Sequence, residues 1–205
     1  MVPRIAILAV AMTVGGVAPA AEDRAGHRQF SVSPMFGYRA GGRFDEPVTD
    51  ERVRLDDDVS YGLALRFEPS PGRLYELYYS RQNTNVERGG LGVNVEYLHV
   101  GGMLSWPQGA FSTFFGGGLG GTRFNPRAPG LGAHTRPSMS LGVGLEFPMS
   151  DRLAFRLEAR GFLTFTADNR EVFCFSGPAD AFCELRYEGS VFTQVEALTG
   201  LTWRF

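Results

Sequence analysis

Histidines, cysteines and glycine-rich segments are the residues of this sequence that could support catalysis or bind a ligand. The three histidines are His27, His99 and His134. Hydrolytic or acyl-transfer chemistry needs a nucleophile, a histidine base and an orienting carboxylate close together. Neither EYLHVGG around His99 nor AHTRP around His134 supplies these groups locally. We therefore expect no catalytic residues and no enzymatic activity.

The two cysteines, Cys174 and Cys183, lie close together in the segment CFSGPADAFC. Zinc would need two further ligands, and no histidine lies nearby, so we expect no metal site. An even pair of cysteines in an exported chain predicts a disulfide instead. The phenylalanines around this pair either pack against the disulfide and the adjacent loops or form a surface for a partner.

The glycine-rich run FFGGGLGGTRF at 114–124 is the segment most similar to a phosphate-binding loop. Such a loop also requires a lysine and a following helix, and this run has neither. A structural role explains the glycines better, because they let a strand curve and leave room for large neighbouring side chains. We therefore expect no bound cofactor.

The N-terminal segment predicts export. Arg4 precedes an apolar run at 5–17, and the small residues Ala18, Pro19 and Ala20 follow before the first charges. This order is typical of a secretory signal peptide, which we place at 1–21, leaving a mature domain at 22–205. A retained membrane anchor is the alternative, but the run is shorter than the roughly 20 residues that a spanning helix needs.

The charge balance restricts the classes of partner. The formal net charge is −2, which argues against nucleic acid as a partner. All 20 basic residues are arginine. Each cation is therefore a planar guanidinium that pairs well with carboxylate or phosphate groups.

Two-residue alternation of apolar and polar side chains recurs along most of the chain after residue 29. In SMSLGVGLEF at 138–147, the residues Met139, Leu141 and Val143 share one face with Leu145 and Phe147. This pattern predicts a strand between two unlike environments. We predict eight strands, at about 30–40, 58–68, 73–83, 92–106, 110–123, 138–148, 153–165 and 190–205.

The connections between these strands alternate in length. Tight turns are predicted at 69–72, 107–109 and 149–151, whereas the other connections are long. One end of the sheet then carries short turns and both termini, and the other end carries long loops. This asymmetry is typical of outer-membrane barrels, with short periplasmic turns and longer external loops.

Alternation alone does not distinguish a membrane barrel from a soluble barrel, in which the apolar face points inward. The composition of the polar face distinguishes the two. That face consists mainly of Gly, Ser, Thr and Ala with a few charges. Small residues suit the crowded interior of an eight-stranded barrel. Parity places ten charges inside, five of each sign: Arg39, Arg66, Glu76, Glu96, Glu146, Arg156, Glu158, Arg160, Glu196 and Arg204.

Equal numbers of opposite charges favour a paired network in a narrow lumen, because an unpaired buried charge is costly. The alternative is a solvated polar face, which would not need equal numbers of positive and negative charges. Aromatic side chains beside the short turns are predicted to form a periplasmic girdle in the headgroup zone. They are Phe67, Tyr75, Trp106, Phe111, Phe147, Phe155, Trp203 and Phe205.

The chain resembles the small eight-stranded outer-membrane barrels typified by outer-membrane protein A. The resemblance rests on the final LTWRF, the eight alternating segments and the loop asymmetry. It implies an all-β fold, an eight-stranded antiparallel up-and-down transmembrane β-barrel in the outer membrane of a Gram-negative bacterium. In that family, a C-terminal strand ending in an aromatic residue is the signal for the barrel-assembly machinery. Phe205 would therefore serve as an assembly signal as well as a girdle residue.

This fold supports several unrelated functions. We expect a structural or surface-interaction role, with the lumen plugged by Arg-Glu pairs. The alternative is a porin-like function, as a narrow pore or transporter for small molecules, including apolar ones. A lipid-modifying outer-membrane enzyme is the third hypothesis.

The expected partners are outer-membrane lipid and lipopolysaccharide, the barrel-assembly machinery during insertion, and a surface partner at the 166–189 loop. Arg123, Arg127 and Arg136 are candidate contacts to lipid phosphates. The acidic stretch at 45–58 does not have the spacing of a calcium loop. It is either a solvated hairpin tip or a bridge through cations to anionic surface glycolipid.

Overall fold

The structure is a computed structural model that describes residues 29–46, 51–86, 91–128, 130–165, 171–176, 181–186 and 191–205. The expected signal peptide at 1–21 lies outside these residues and stays a prediction. Within the described residues, no helix is long and apolar enough to cross a membrane.

The described backbone is built from twelve strands. Eight of them are long: β1 (Gln29–Gly41), β4 (Asp58–Ser70), β5 (Arg73–Asn85), β6 (Gly92–Pro107), β7 (Ser112–Pro126), β8 (His134–Pro148), β9 (Leu153–Phe165) and β12 (Val191–Arg204). Four are short: β2 (Arg43–Glu46), β3 (Glu51–Arg54), β10 (Glu171–Ser176) and β11 (Ala181–Arg186).

The eight long strands close into one antiparallel barrel in the order β1-β12-β9-β8-β7-β6-β5-β4. Closure depends on β1, which pairs with β12 on one side and β4 on the other, so that Arg39 is aligned with Glu196 and with Asp58. Closure satisfies the backbone groups that an open sheet edge would leave unpaired in lipid. The predicted eight-stranded up-and-down barrel is confirmed, and the strand boundaries differ from the predicted ones by a few residues.

The short strands form two additional hairpins in the long connections. β2 pairs with β3, and β10 pairs with β11. Both segments were predicted to be parts of long loops. The segments RFDE, ERVR, EVFCFS and AFCELR do not alternate strictly between apolar and polar residues, so they lack the signal that identified the long strands.

The barrel has one end with tight turns and one end with long connections. β4 and β5 are joined by Pro71 and Gly72, and Gly109 lies between β6 and β7. Both glycines have positive φ, 75° for Gly72 and 79° for Gly109, a conformation that glycine adopts without steric cost. Phe205 lies at this same end, where its amide donates to the Phe30 carbonyl at 2.8 Å.

The outer surface of the barrel is apolar. On β9, Phe155, Leu157 and Phe165 point outward and are exposed, whereas the alternate residues Arg156 and Arg160 are buried. The same alternation on the other long strands produces a largely apolar exterior, the surface that a transmembrane barrel presents to lipid. The exterior of this barrel therefore faces hydrocarbon, and its polar face is the interior.

Inward-facing glycines make room for large interior side chains. A Cβ added to Gly120 would overlap the Leu98 carbonyl oxygen and lie 2.7 Å from Cδ2 of His99. A Cβ at Gly142 would lie 3.0 Å from Oε1 of Glu158. The glycine-rich segment of β7 thus serves packing.

We expect the substitution Gly120→Ala to destabilise the barrel by about 1–3 kcal/mol, because overpacking forces neighbouring atoms to shift. The matched control is Gly161→Ala on the exterior, where an added Cβ would meet no atom within 4 Å. The free energy of unfolding can be measured by urea titration in detergent, with the heat-sensitive gel migration of the folded barrel as readout. Equal midpoints for the two variants would contradict this account of packing.

Candidate functional site

The half of the interior nearer the short turns contains a chain of alternating arginine and glutamate side chains. Nε of Arg66 donates to Oε2 of Glu76 at 2.7 Å, and Nη2 of Arg160 donates to Oε1 of Glu76 at 2.5 Å. Arg160 also donates to Oε1 of Glu158 at 2.7 Å, and Arg156 binds Oε2 of the same carboxylate at 2.9 Å. All five side chains are more than nine-tenths buried, so each charge is neutralised by its neighbours instead of by water.

This chain of ion pairs continues to the end of the barrel that carries the short turns. Nη1 of Arg156 donates to Oε2 of Glu146 at 3.2 Å, and Glu146 also contacts Arg204. The guanidinium of Arg156 lies over the ring of Phe114, with 3.5 Å from Cζ to the ring centroid. A cavity of about 60 Å³ opens beside these residues.

A second charge centre lies around Glu196, farther from the short turns. Nη2 of Arg39 donates to Oε1 of Glu196 at 2.9 Å, and the Ser80 hydroxyl donates to the same oxygen at 2.8 Å. The Tyr78 hydroxyl donates to Oε2 at 2.7 Å. The Tyr78 ring also lies against the guanidinium of Arg160, at 3.8 Å, which connects the two charge centres.

Aromatic rings and amides fill the next level of the interior. Phe162 stacks on Tyr97 with 4.0 Å between ring centroids, and the guanidinium of Arg39 lies over the Tyr97 ring at 4.8 Å. The Tyr97 hydroxyl donates to the Gln194 side chain at 2.8 Å, and Gln194 donates to Gln82 at 3.3 Å. These groups span the lumen from one wall to the other.

An apolar cluster closes the end with the long connections. Phe124 and Phe192 meet edge to face, with 5.2 Å between ring centroids. Leu55, Val86 and Val93 are buried in the same cluster. From this cluster down to Glu196, the interior side chains are fully or almost fully excluded from solvent.

Nine of the ten charges expected in the lumen lie inside the barrel. They are Arg39, Arg66, Glu76, Glu146, Arg156, Glu158, Arg160, Glu196 and Arg204. The interior therefore holds one more arginine than glutamate. Arg204 lies at the mouth with a side chain 30% exposed, where water can solvate the excess charge.

The placement of Glu96 in the lumen is wrong, because this residue lies on the exterior. Its carboxylate accepts a hydrogen bond from the outward-facing Tyr79 at 3.2 Å and lies 3.9 Å from Nη1 of Arg81. On β6, both faces are largely apolar: Tyr97 and Met103 point inward, and Leu98 shares the outward face. The alternation therefore does not identify the inner face of this strand, and the charge on Glu96 led to the wrong parity.

The aromatic residues predicted for the girdle lie beside the short turns. Phe67 is aligned with Tyr75 across β4 and β5, and Phe147 with Phe155 across β8 and β9. Phe111 and Phe147 have ring centroids 5.8 Å apart. Trp106, Trp203 and Phe205 are exposed on the outer surface. Phe30, which was not predicted for the girdle, is exposed and has its ring centroid 4.9 Å from that of Phe67. Its place as the first residue of the first predicted strand was the available signal.

The backbone register of the β10–β11 hairpin places Cys174 opposite Cys183. Directly paired residues in an antiparallel ladder have Cα atoms about 4.5–5.5 Å apart, which falls within the range that a disulfide bridges. The disulfide itself stays a prediction.

The histidines do not form a recognisable catalytic group among the described residues. The two ring nitrogens of His99 hydrogen-bond to Ser140 at 2.9 Å and Ser138 at 2.8 Å. These groups are buried inside the barrel. A histidine in this position ties β6 to β8 through its hydrogen bonds. His27 lies outside the described residues.

Two solved structures have the same architecture. One is Neisserial surface protein A, with 8% identity, a TM-score of 0.59, and coverage of 86% of this chain and 97% of that chain. The other is the N-terminal β-barrel domain of OprF from Pseudomonas aeruginosa, with 12% identity, a TM-score of 0.51, and coverage of 87% and 98%. No protein-family profile matches the chain, and no curated protein matches it significantly.

The chain has the fold of the small eight-stranded outer-membrane β-barrels. Its apolar exterior and closed antiparallel topology place it in the bacterial outer membrane. In these barrels the short turns are periplasmic and the longer loops are external. The half of the interior that contains the chain of ion pairs is therefore the periplasmic half of this outer-membrane barrel. The apolar cluster lies toward the cell surface.

We expect Glu158→Ala to destabilise this outer-membrane barrel by about 3–5 kcal/mol, because Arg156 and Arg160 would each lose a buried partner. Glu158→Gln, which keeps the shape and some hydrogen bonds, should give a smaller loss. The control is Asp151→Ala, which removes an exposed carboxylate from a periplasmic turn. Urea midpoints in detergent would measure the difference, and a Glu158→Ala midpoint equal to that of the control would contradict the role of the network.

Proposed function

We propose that the protein is a non-conducting outer-membrane barrel that acts through its outer wall and external loops. One observation carries this proposal: the interior is filled from the periplasmic ion pairs to the external apolar cluster. A barrel of eight strands has an interior that side chains can fill. Here the middle of the lumen is occupied by Arg39, Glu196 and Tyr97, all excluded from solvent.

The filled interior disfavours the porin-like alternative. A conducting pore needs a continuous aqueous path, and the cavity at the periplasmic mouth ends against buried ion pairs. Opening a path would require several paired charges to separate although the surrounding side chains exclude them from solvent, which is costly. No observation specifically favours transport or lipid modification as a second function.

The external loops are the proposed surface for a protein partner. The connection at 166–189 contains the β10–β11 hairpin, which gives it a defined backbone at 171–176 and 181–186. A hairpin connected to a rigid barrel is a suitable recognition element, because a scaffold of low mobility presents it. The barrel-assembly machinery remains the proposed partner of the C-terminal strand during insertion.

The sealed lumen is tested by conductance in planar bilayers. The unmodified barrel should show no steady unitary current, whereas a variant with Arg39, Glu196 and Phe162 all replaced by Ala should show a measurable one. This triple variant removes one charge of each sign and one large ring from the plug. The control replaces the outward residues Thr193 and Val195 with Ala. A steady current from the unmodified protein would overturn the proposal.

The disulfide is tested by alkylating denatured but unreduced protein. Cys174 and Cys183 should take up no label before reduction and two labels after it. Cys174→Ser should leave the urea midpoint of the barrel unchanged, because the hairpin pairs only with itself in a sheet separate from the barrel. Full labelling without reduction would show that the two thiols are free.

A further inference from the structure

The exterior of β5, β6 and β7 carries a charged patch at the end toward the cell surface. Arg81, Glu96 and Arg123 are aligned as neighbours in the sheet. All three occupy outward-facing positions, and Arg81 and Arg123 are exposed. We call this surface, together with Tyr79 and its hydrogen bond to Glu96, the Arg81 patch. It interrupts an exterior that is otherwise apolar at this level.

The patch lies near the outer edge of the apolar band. On β5, Arg81 lies eight residues after Arg73, which flanks the periplasmic turn. At about 3.3 Å per residue and a strand tilt of about 40°, the two residues differ by about 20 Å along the membrane normal. The apolar exterior of such barrels is about 25 Å tall. Arg81 therefore lies at the outer edge of the hydrocarbon layer, where its side chain extends toward the headgroups.

The charges of the patch favour an anionic ligand. Arg81 and Arg123 flank a single carboxylate, so the row has an excess of one positive charge. Nη1 of Arg81 lies 3.9 Å from Oε1 of Glu96, and Nε donates to Oδ1 of Asn83 at 3.1 Å, so neither contact holds the Nη groups at hydrogen-bond distance and they can bind an anion. Phosphate is the anion at this level of a membrane, and arginine binds it through two parallel hydrogen bonds.

The spacing favours a headgroup with two phosphates over one with a single phosphate. Arg81 and Arg123 lie on strands separated by β6, so their backbones are about 10 Å apart. Glu96 lies between them, and the exposed side chain of Asn83, whose Oδ1 accepts from Arg81, has an amide NH2 that can donate to a hydroxyl group. A phosphorylated disaccharide presents this combination of separated phosphates and hydroxyls, and a phospholipid headgroup does not.

We propose that the Arg81 patch binds the phosphorylated sugar headgroup of an outer-leaflet glycolipid. This inference depends on the orientation of the barrel, with its long connections outward, and not on the sealed lumen. It also changes the set of candidate arginines. Arg123 is retained, but Arg127 donates to the Thr84 carbonyl at 3.2 Å, and Arg136 lies at an inward-facing position.

Native mass spectrometry of the folded barrel in detergent tests the proposal, with bisphosphorylated lipid A as the probe. The double variant Arg81→Gln, Arg123→Gln should bind the probe at least tenfold more weakly. The control Arg73→Gln, Arg152→Gln removes the same charge from exposed positions at the periplasmic end and should stay within twofold of the unmodified protein. Heat-modifiable migration of each variant verifies that it is folded.

Two further probes identify the ligand chemistry. Monophosphorylated lipid A should bind more weakly than the bisphosphorylated form to the unmodified protein, and this difference should vanish in the patch variant. Phosphatidylglycerol should bind weakly to both. Equal retention of phosphatidylglycerol and lipid A, or an unchanged affinity of the patch variant, would overturn the proposal. Either result would leave the conductance test of the sealed lumen unaffected.

Discussion

The structure depends on burying four arginines, Arg39, Arg66, Arg156 and Arg160, inside a narrow barrel where they are excluded from solvent. A guanidinium cannot lose its charge in a protein, so each one needs an anionic or aromatic neighbour. Glu158 serves two arginines, Glu76 serves two, and the rings of Phe114 and Tyr78 cover two guanidinium groups. Removing one carboxylate would therefore leave more than one cation without a partner, which couples the strands energetically.

This constraint extends to residues that carry no charge. Glu196 holds Arg39 only with the help of Ser80 and Tyr78, which satisfy its remaining lone pairs. The glycines of β7 and β8 provide the space, since the side chains of His99 and Glu158 lie where a Cβ would project. The closed hydrogen-bond ladder then holds the pairs across the lumen. The ion pairs on the inner face thus depend on small residues that make room for them and on hydroxyl groups that complete their hydrogen bonds.

The sequence was sufficient to predict the barrel, because period-two alternation persists through eight long segments and connection lengths alternate. It was sufficient for the inward position of nine charges for the same reason. It was not sufficient on β6, where Tyr97 and Leu98 are both large and apolar and only the pairing of Glu96 with Arg81 decides the parity. The sequence also could not predict the ion-pair partner of each charge, because the partners depend on strand register and barrel shear, which alternation does not specify. Arg39, for example, meets a glutamate 157 residues away.

A filled interior limits where such a protein can interact with other molecules. Because the lumen is committed to holding the barrel together, its side chains cannot also form a ligand cavity without breaking ion pairs. The proposed function therefore assigns binding to the external loops or to the outer wall. On that wall, an outward charge is unfavourable unless something in the membrane pairs with it. Glu96 and its arginine neighbours are for this reason the part of the exterior that barrel stability alone does not explain.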